Sequence, residues 1–238
     1  VKAVAEADVE LLRANTLRQI SRALEFGTTT MEIKSGYGLD TENELKMLEA
    51  IGAASRLTPV DIVATFLGAH AIPTVYRDRS DDFISLIIEE MLPAVRRQGI
   101  AEQCDIFCEK GVFSIAQGRR LLKAAQKTGM RVKLHADEVH DLGGAGLAAE
   151  IGAVSADHLL AANEKNMAAM AAAGVANLAW QTSGFPWISL VLAFSFGVYG
   201  LVRKLAPVGP LEGLTVETAL VTPLALGYLL WQIGRAHV

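Results

Sequence analysis

Up to about residue 180 the chain switches repeatedly between two hydrophobic periods, and that switching restricts its fold more than any single motif does. Apolar residues recur every three to four positions in 6–26, 41–56, 81–98, 114–128, 143–152 and 163–173, which predicts helices. Between them lie short β-branched runs at 29–34 (TTMEIK), 60–67 (VDIVATFL), 103–108, 130–135 (MRVKLH), 154–158 and 175–179, which predict strands. Strands that alternate with helices pair in parallel, because a parallel crossover needs a dozen or more residues and usually a helix. Gly27, Gly99, Gly129, Gly152 and Gly174 each stand just past a helical segment, where a left-handed residue ends a helix. The expected class is therefore α/β, an incomplete (β/α)8 TIM-type barrel of about six βα units. Six strands cannot close an eight-stranded barrel, so both edges of such a sheet are left open.

Composition narrows the partners. An apolar fraction of 51% over 238 residues is enough for a real core, and a net charge of -4 gives no basic field for nucleic acid. A small-molecule substrate is the expectation. Cys104 and Cys108 lie four apart in a strand-like stretch, so their side chains share a face and read as buried thiols; a structural zinc would need further ligands at finger spacing, and none follow. The first residues, VKAVAEADVELLRAN, are charged and amphipathic, unlike a signal peptide. A start at Val1 without Met reads as the middle of something longer.

Residues with chemical potential fall in one kind of place, just after a predicted strand. They are Tyr37 in KSGYG, His70 in LGAHAIP, His135 and Glu138 in LHADE, and His158 in SADHL. In a (β/α)8 barrel that edge carries the active site. Three of five histidines at successive strand ends are hard to assign to packing alone. An imidazole that ligates zinc or iron, with a carboxylate three residues on to move protons, suits a metal-dependent hydrolase. Locally, LHADE supports a second reading: Asp137 and Glu138 solvate a loop, and Asp137 or Asp141 caps the helix that starts near Gly143. His140 reads as a loop residue.

Past residue 181 the composition changes. Residues 182–238 hold five formal charges (Arg203, Lys204, Glu212, Glu217 and Arg235), against 43 before them. The runs 187–202 and 218–234 are uncharged and show no polar face, which predicts two hydrophobic helices with possible membrane association of 187–234. Arg203 and Lys204 would lie on the cytoplasmic side of an inserted segment.

The stretches HADE, FGTTTMEIKSGYGLDTENELKML, VATFLGAHAIP, IIEEMLPAV, CDIFCEKGVFS and IGAVSADHL resemble the imidazolonepropionase family of the amidohydrolase superfamily, over about residues 1–175. The resemblance implies a cytoplasmic enzyme of histidine degradation. Such an enzyme opens the cyclic amide of 4-imidazolone-5-propanoate with water, giving N-formimidoyl-L-glutamate, and uses one zinc or iron. It further implies His135 as a metal ligand, Glu138 as the carboxylate that contacts substrate and handles the attacking water, Tyr37 and His70 as substrate-binding residues, and His158 as a catalytic-site histidine.

The family also takes ligands from an upstream His-x-His and from an Asp on the last barrel strand. This sequence has no His-x-His and no Asp after Asp157, and the family's upstream substrate-binding Arg is absent. Most metal ligands are thus missing, and the resemblance implies an inactive chain in isolation. The segment from about 180 to 232 resembles an internal piece of a drug/metabolite-transporter family protein, from the chloramphenicol-sensitivity branch. The ending IGRAHV reads as translated adapter sequence. The expected organisation is a partial hydrolase barrel at 1–178, a membrane-helix-like segment at 179–232 and an adapter-derived tail at 233–238. A membrane protein carrying a non-functional soluble segment, or an artefactual chimera, stands as the alternative to the enzyme.

Overall fold

The computed structural model describes residues 1–181 and, beyond them, positions 191, 194, 195, 215, 218, 219, 222, 223 and 225–227. The chain divides into two compact units, Val1–Asn177 and Leu178–Val238. In the first unit lie five strands: β1 (Thr30–Lys34), β2 (Asp61–Ala69), β3 (Gln103–Cys108), β4 (Arg131–Ala136) and β5 (Ser155–His158). All neighbours pair in parallel, in the order β1-β2-β3-β4-β5. A doubly wound sheet reverses its strand order at a switch point, whereas a barrel adds each strand beside the last. This unbroken order is the arc of a partial α/β barrel.

The helices are α1 (Lys2–Glu6), α2 (Val9–Glu25), α3 (Thr41–Ser55), α4 (Ser80–Leu86), α5 (Leu92–Gln98), α6 (Ile115–Lys127), α7 (Gly144–Ile151) and α8 (Glu164–Gln181). Their starts follow the sequence closely. Asp8 and Asp40 cap α2 and α3, and Ser114 with Gln117 forms a reciprocal capping box on α6. Gly27, Gly99, Gly129 and Gly152 take positive φ at helix ends, as expected.

Two expectations are corrected. The run 175–179 is not a sixth strand but part of α8, and Gly174 lies inside that helix rather than past its end. Alanine is the best helix former, and the Asn163 side chain accepts a hydrogen bond from the Asn166 amide at the helix start; one interior glycine, at about 1 kcal/mol, does not stop such a run. The single helix expected over 81–98 is three segments, because a π turn at Ile87–Met91 joins α4 to α5. Pro93 follows at once in the first turn of α5, and a residue without an amide hydrogen breaks the regular ladder there.

The core forms on one face of the sheet. Ala64, Phe66, Cys104, Ile106, Val132, Leu134 and Ala136 meet Leu48, Ile84, Met91, Leu121, Leu122 and Leu147 from the covering helices. Both cysteines are free and buried, as the spacing predicts. Burial and the nearby Asp105 carboxylate push the Cys108 thiol up to about 12 and raise Cys104 as well, which leaves both thiols protonated and unreactive.

No helix among the described residues is long and apolar enough to cross a membrane. Most of the hydrophobic runs 187–202 and 218–234, and all of the tail 233–238, lie outside the described residues.

Phe66 is fully buried at the centre of the sheet's apolar face. Phe66→Ala is expected to lower unfolding stability by about 3–5 kcal/mol, as large-to-small changes in tight cores do. Urea denaturation measures this, and a loss below about 1 kcal/mol would contradict the packing described.

Candidate active site

The five residues singled out in the sequence converge at the carboxyl edge of the sheet. Tyr37 and His70 meet edge to face, with ring centres 4.8 Å apart. His70 lies 6.1 Å from His135, and His135 lies 5.3 Å from His158. Nδ1 of His158 is 3.7 Å from Oε1 of Glu138. Phe107, at the end of β3, stands within 6.1 Å of both His70 and His135. Beside this row opens a cavity of about 470 Å³ lined by Tyr37, His70, Ile72, Arg77, Phe107 and Val112, among others.

Three buried carboxylates hold the loops that carry these groups. Glu44, at the start of α3, accepts hydrogen bonds from the amides of Gly36, Gly38 and Leu39, and so fixes the loop bearing Tyr37. Gly36 has φ +116°, and a Cβ there would lie 2.9 Å from the Leu67 carbonyl oxygen, so the loop passes close over β2. Asp137 accepts from the amides of Leu142, Gly144 and Ala145 and caps α7. Glu109 accepts from the Val139 and His140 amides and, at 2.8 Å, pairs with Nδ1 of His140. Burial opposes the charge of Glu109, but the Val139 and Lys110 amides and His140 outweigh it and hold the carboxyl down at about 2.

The backbone is strained beside these residues. Asp137 has φ +49°, His158 +73° and Leu159 +61°, in the left-handed region that side chains with a Cβ seldom adopt. His70 Nδ1 lies 3.2 Å from the Gly36 carbonyl. A carbonyl only accepts, so Nδ1 is the donor in this contact, and in the neutral form of the ring Nε2 is left as an acceptor.

Below the histidines, the inner face of the sheet carries charges. Lys34 Nζ donates to Asp105 at 2.8 Å and also to Asp157, while Lys133 Nζ donates to Glu32 at 2.6 Å. Thr65 Oγ1 donates to the other Glu32 oxygen at 2.6 Å. Burial disfavours the Lys34 ammonium, but Asp105, Asp157 and Glu32 together raise its pKa. Burial likewise opposes the Asp157 carboxylate, and Lys34, Lys133 and His135 hold its pKa below the usual range.

No family model matches the chain. It is 63% identical to the imidazolonepropionase of Desulfotalea psychrophila over 175 residues, which is 74% of this chain and 42% of that protein. The imidazolonepropionase of Syntrophobacter fumaroxidans aligns over 93% of the chain at 47% identity, covering 49% of that protein. The one from Clostridium tetani aligns over 99% of the chain at 41%, covering 57% of that protein. The chain is homologous to imidazolonepropionases over most of its length. It spans about half the length of these curated relatives. Among solved structures, a 5-methylcytosine deaminase from Klebsiella pneumoniae, liganded with 5-fluorocytosine, matches 72% of this chain and 43% of its own with a TM-score of 0.54. At 18% identity that likeness shows the fold alone.

The last two imidazolonepropionase alignments run past residue 181, and the expected fusion to a transporter fragment is without support. Whether the chain's donors suit the metal that the imidazolonepropionase resemblance implies can be judged at His135. Its Nδ1 is buried and makes no hydrogen bond, although Asp105 Oδ2 lies 3.0 Å away. Asp105, His135 and Asp157 each offer one ligand atom, all within 4.8 Å of one another. The imidazole therefore fits a ligand role. The two carboxylates already share the Lys34 ammonium, a fixed cation in the place a metal would need for all three donors.

Sequence reasoning missed Glu32, Lys34, Asp105, Lys133 and Asp157. Their signal was present: each is a charge at an alternate position of its strand, in MEIK, CDIF, VKLH and SADH. It also missed Glu44 and Glu109 as loop anchors, which no local motif marks.

Glu109 gives a test of this anchoring. Its folded pKa of about 2 lies below the ordinary glutamate value of about 4.3, so its contribution to stability is present above the latter and is lost as pH falls toward the former. The stability gap between the unchanged chain and Glu109→Gln should therefore shrink from pH 5 to pH 2.5 in urea unfolding. A gap that stays constant across that window would mean that His140 and the two amides do not hold the charged form.

Proposed function

We propose that the chain forms part of a metal-dependent hydrolase of the amidohydrolase type. The proposed reaction opens the cyclic amide of 4-imidazolone-5-propanoate with water to give N-formimidoyl-L-glutamate. The observation that carries this reading is the convergence of Tyr37, His70, His135, Glu138 and His158 at one sheet edge, in a chain homologous to imidazolonepropionases.

His135 would hold the metal, zinc or iron, since imidazole and carboxylate donors accept either. When bound, that ion supplies a Lewis acid that makes water nucleophilic near neutral pH. Glu138 is the proton carrier. It takes a proton from the water that attacks the ring carbonyl and returns one to the ring nitrogen as the C–N bond breaks. His158, beside Glu138, orients that carboxylate and contributes positive charge when protonated. His70 Nε2 accepts from a ring N–H of the substrate, and the Tyr37 phenol, which has no partner among the described residues, supplies a second polar contact. Phe107 excludes water from one side.

In an imidazolonepropionase carrying these residues, His135→Ala is expected to lose its metal, measured by elemental analysis after dialysis. Glu138→Gln should keep the metal but lower kcat by about two or more powers of ten, as removal of a proton-transfer group does. Full turnover and metal content without His135 would sink the assignment.

A further inference from the structure

Beneath the histidine row, the inner face of the sheet gathers three donors that suit a divalent cation. Asp105 on β3 is wholly buried, and its Oδ1 accepts from the neighbouring Ile106 amide at 2.7 Å, which leaves Oδ2 to meet Lys34 and His135. His135 Nδ1, on β4, lies 3.0 Å from that Oδ2 and is buried without a hydrogen bond. Asp157 on β5 completes the set, and one ligand atom from each of the three falls within 4.8 Å of the others. Two carboxylates and an imidazole are donors that zinc and cobalt accept.

One group stands in the way. Lys34 Nζ bonds both Asp105, at 2.8 Å, and Asp157, and lies 3.6 Å from Glu32. Lys133 Nζ is close by, 2.6 Å from Glu32 and 3.3 Å from Asp157. Burial works against the Lys34 ammonium, but Asp105, Asp157 and Glu32 raise its pKa, so it keeps its charge. The cluster sets three carboxylates against two ammoniums and carries one net negative charge. A divalent ion added to it would turn that negative charge into a positive one, in an interior where like charges repel strongly. With the Lys34 charge removed, the same ion would leave the cluster neutral.

We propose that Lys34 is a metal-excluding residue: its ammonium holds the position between Asp105, Asp157 and His135 that a divalent cation would otherwise take. The inference goes beyond the function proposed above and does not depend on its reaction. One cation stands in for another. A tethered ammonium cannot diffuse away or be taken by a chelator, so the bond between β1 and β5 is kept whatever metal is supplied. The exclusion also leaves Nε2 as the nitrogen of His135 open to an ion, because Nδ1 faces a carboxylate that Lys34 already occupies.

The test uses the 238-residue chain and Co2+, titrated by calorimetry and followed by its visible absorption. Lys34→Met keeps much of the length of the side chain without its charge. It should bind one Co2+ more tightly than the unchanged chain by about a factor of ten or more, a change of the size produced when a metal's surroundings are altered. Lys34→Arg, which keeps the charge, should show no gain. Adding Asp105→Asn to Lys34→Met should abolish the gain, whereas an ion held through His135 alone does not need that carboxylate. If Lys34→Met unfolds without the ion, Co2+ should restore its circular dichroism. A folded Lys34→Met that gains no affinity overturns the proposal, and so does a chain that stays unfolded with Co2+ present, because the ion then cannot stand in for the ammonium. A gain that survives Asp105→Asn overturns it too. None of these outcomes touches the proposed hydrolase, which falls instead on the metal content and turnover of His135→Ala.

Discussion

The Lys34 ammonium, held between Asp105 and Asp157, fixes the shape of the sheet on which everything else is mounted. Five strands laid flat at about 4.8 Å spacing would put β1 about 19 Å from β5, far beyond the reach of a lysine and an aspartate together. Yet Lys34 on β1 bonds Asp157 on β5 directly, and Lys133 on β4 bonds Glu32 back on β1. Such contacts exist only if the sheet curls until its inner faces converge. Burying these charges costs several kcal/mol of desolvation each, and attraction offsets that cost only where the partners are held closely, as they are here. The network thus specifies curvature more than it adds stability. A flat sheet of the same strands would keep neighbours such as Lys133 and Asp157 together but would separate Lys34 from Asp157 and Glu32 from Lys133.

The strands themselves were plain in the sequence because their period is two. One side chain in two faces the helices and is apolar, as in Phe66, Cys104, Ile106, Val132 and Leu134. The intervening positions were readable as polar but not as partners, since Lys34 and Asp157 stand 123 residues apart and no local pattern joins them. The misplaced sixth strand has a different cause. A short run such as VANLA fits either period, and what decides is the neighbouring chain: an alanine-rich stretch already capped at Asn163 is continued as helix. Pro93 was visible too, but a proline in a helical pattern reads as a break, a kink or a first turn alike, and only the packing of Ile87 and Met91 into the core selects the π turn.

The site was legible as a list and not as an arrangement. Strand-end position brought Tyr37, His70, His135, Glu138 and His158 to notice, because side chains at the carboxyl edge of a parallel sheet necessarily meet there. Phe107 was missed because it looks like one more apolar residue of β3. Its place between His70 and His135 is set by the curl of the sheet, which sequence spacing does not carry.

The local ambiguity of LHADE dissolves once its residues are taken one at a time. Asp137 is a capping residue but not a solvated one: it is wholly buried and collects three amides at the start of α7. His135 and Glu138, on either side of it, point into the space between the strand ends, beside His158. The two readings were therefore not rivals. The cap sets the direction in which Glu138 is presented. A residue at φ +49° is held there only because its side chain is fixed elsewhere, and the turn that results carries Glu138 back toward His158 instead of onward into α7. Glu44 and Glu109 do the same for neighbouring loops, each gathering amides that would otherwise be unpaired. A sheet curled by one set of charges and loops aimed by another leave the histidines little freedom, and that restriction suits groups whose work depends on their separation.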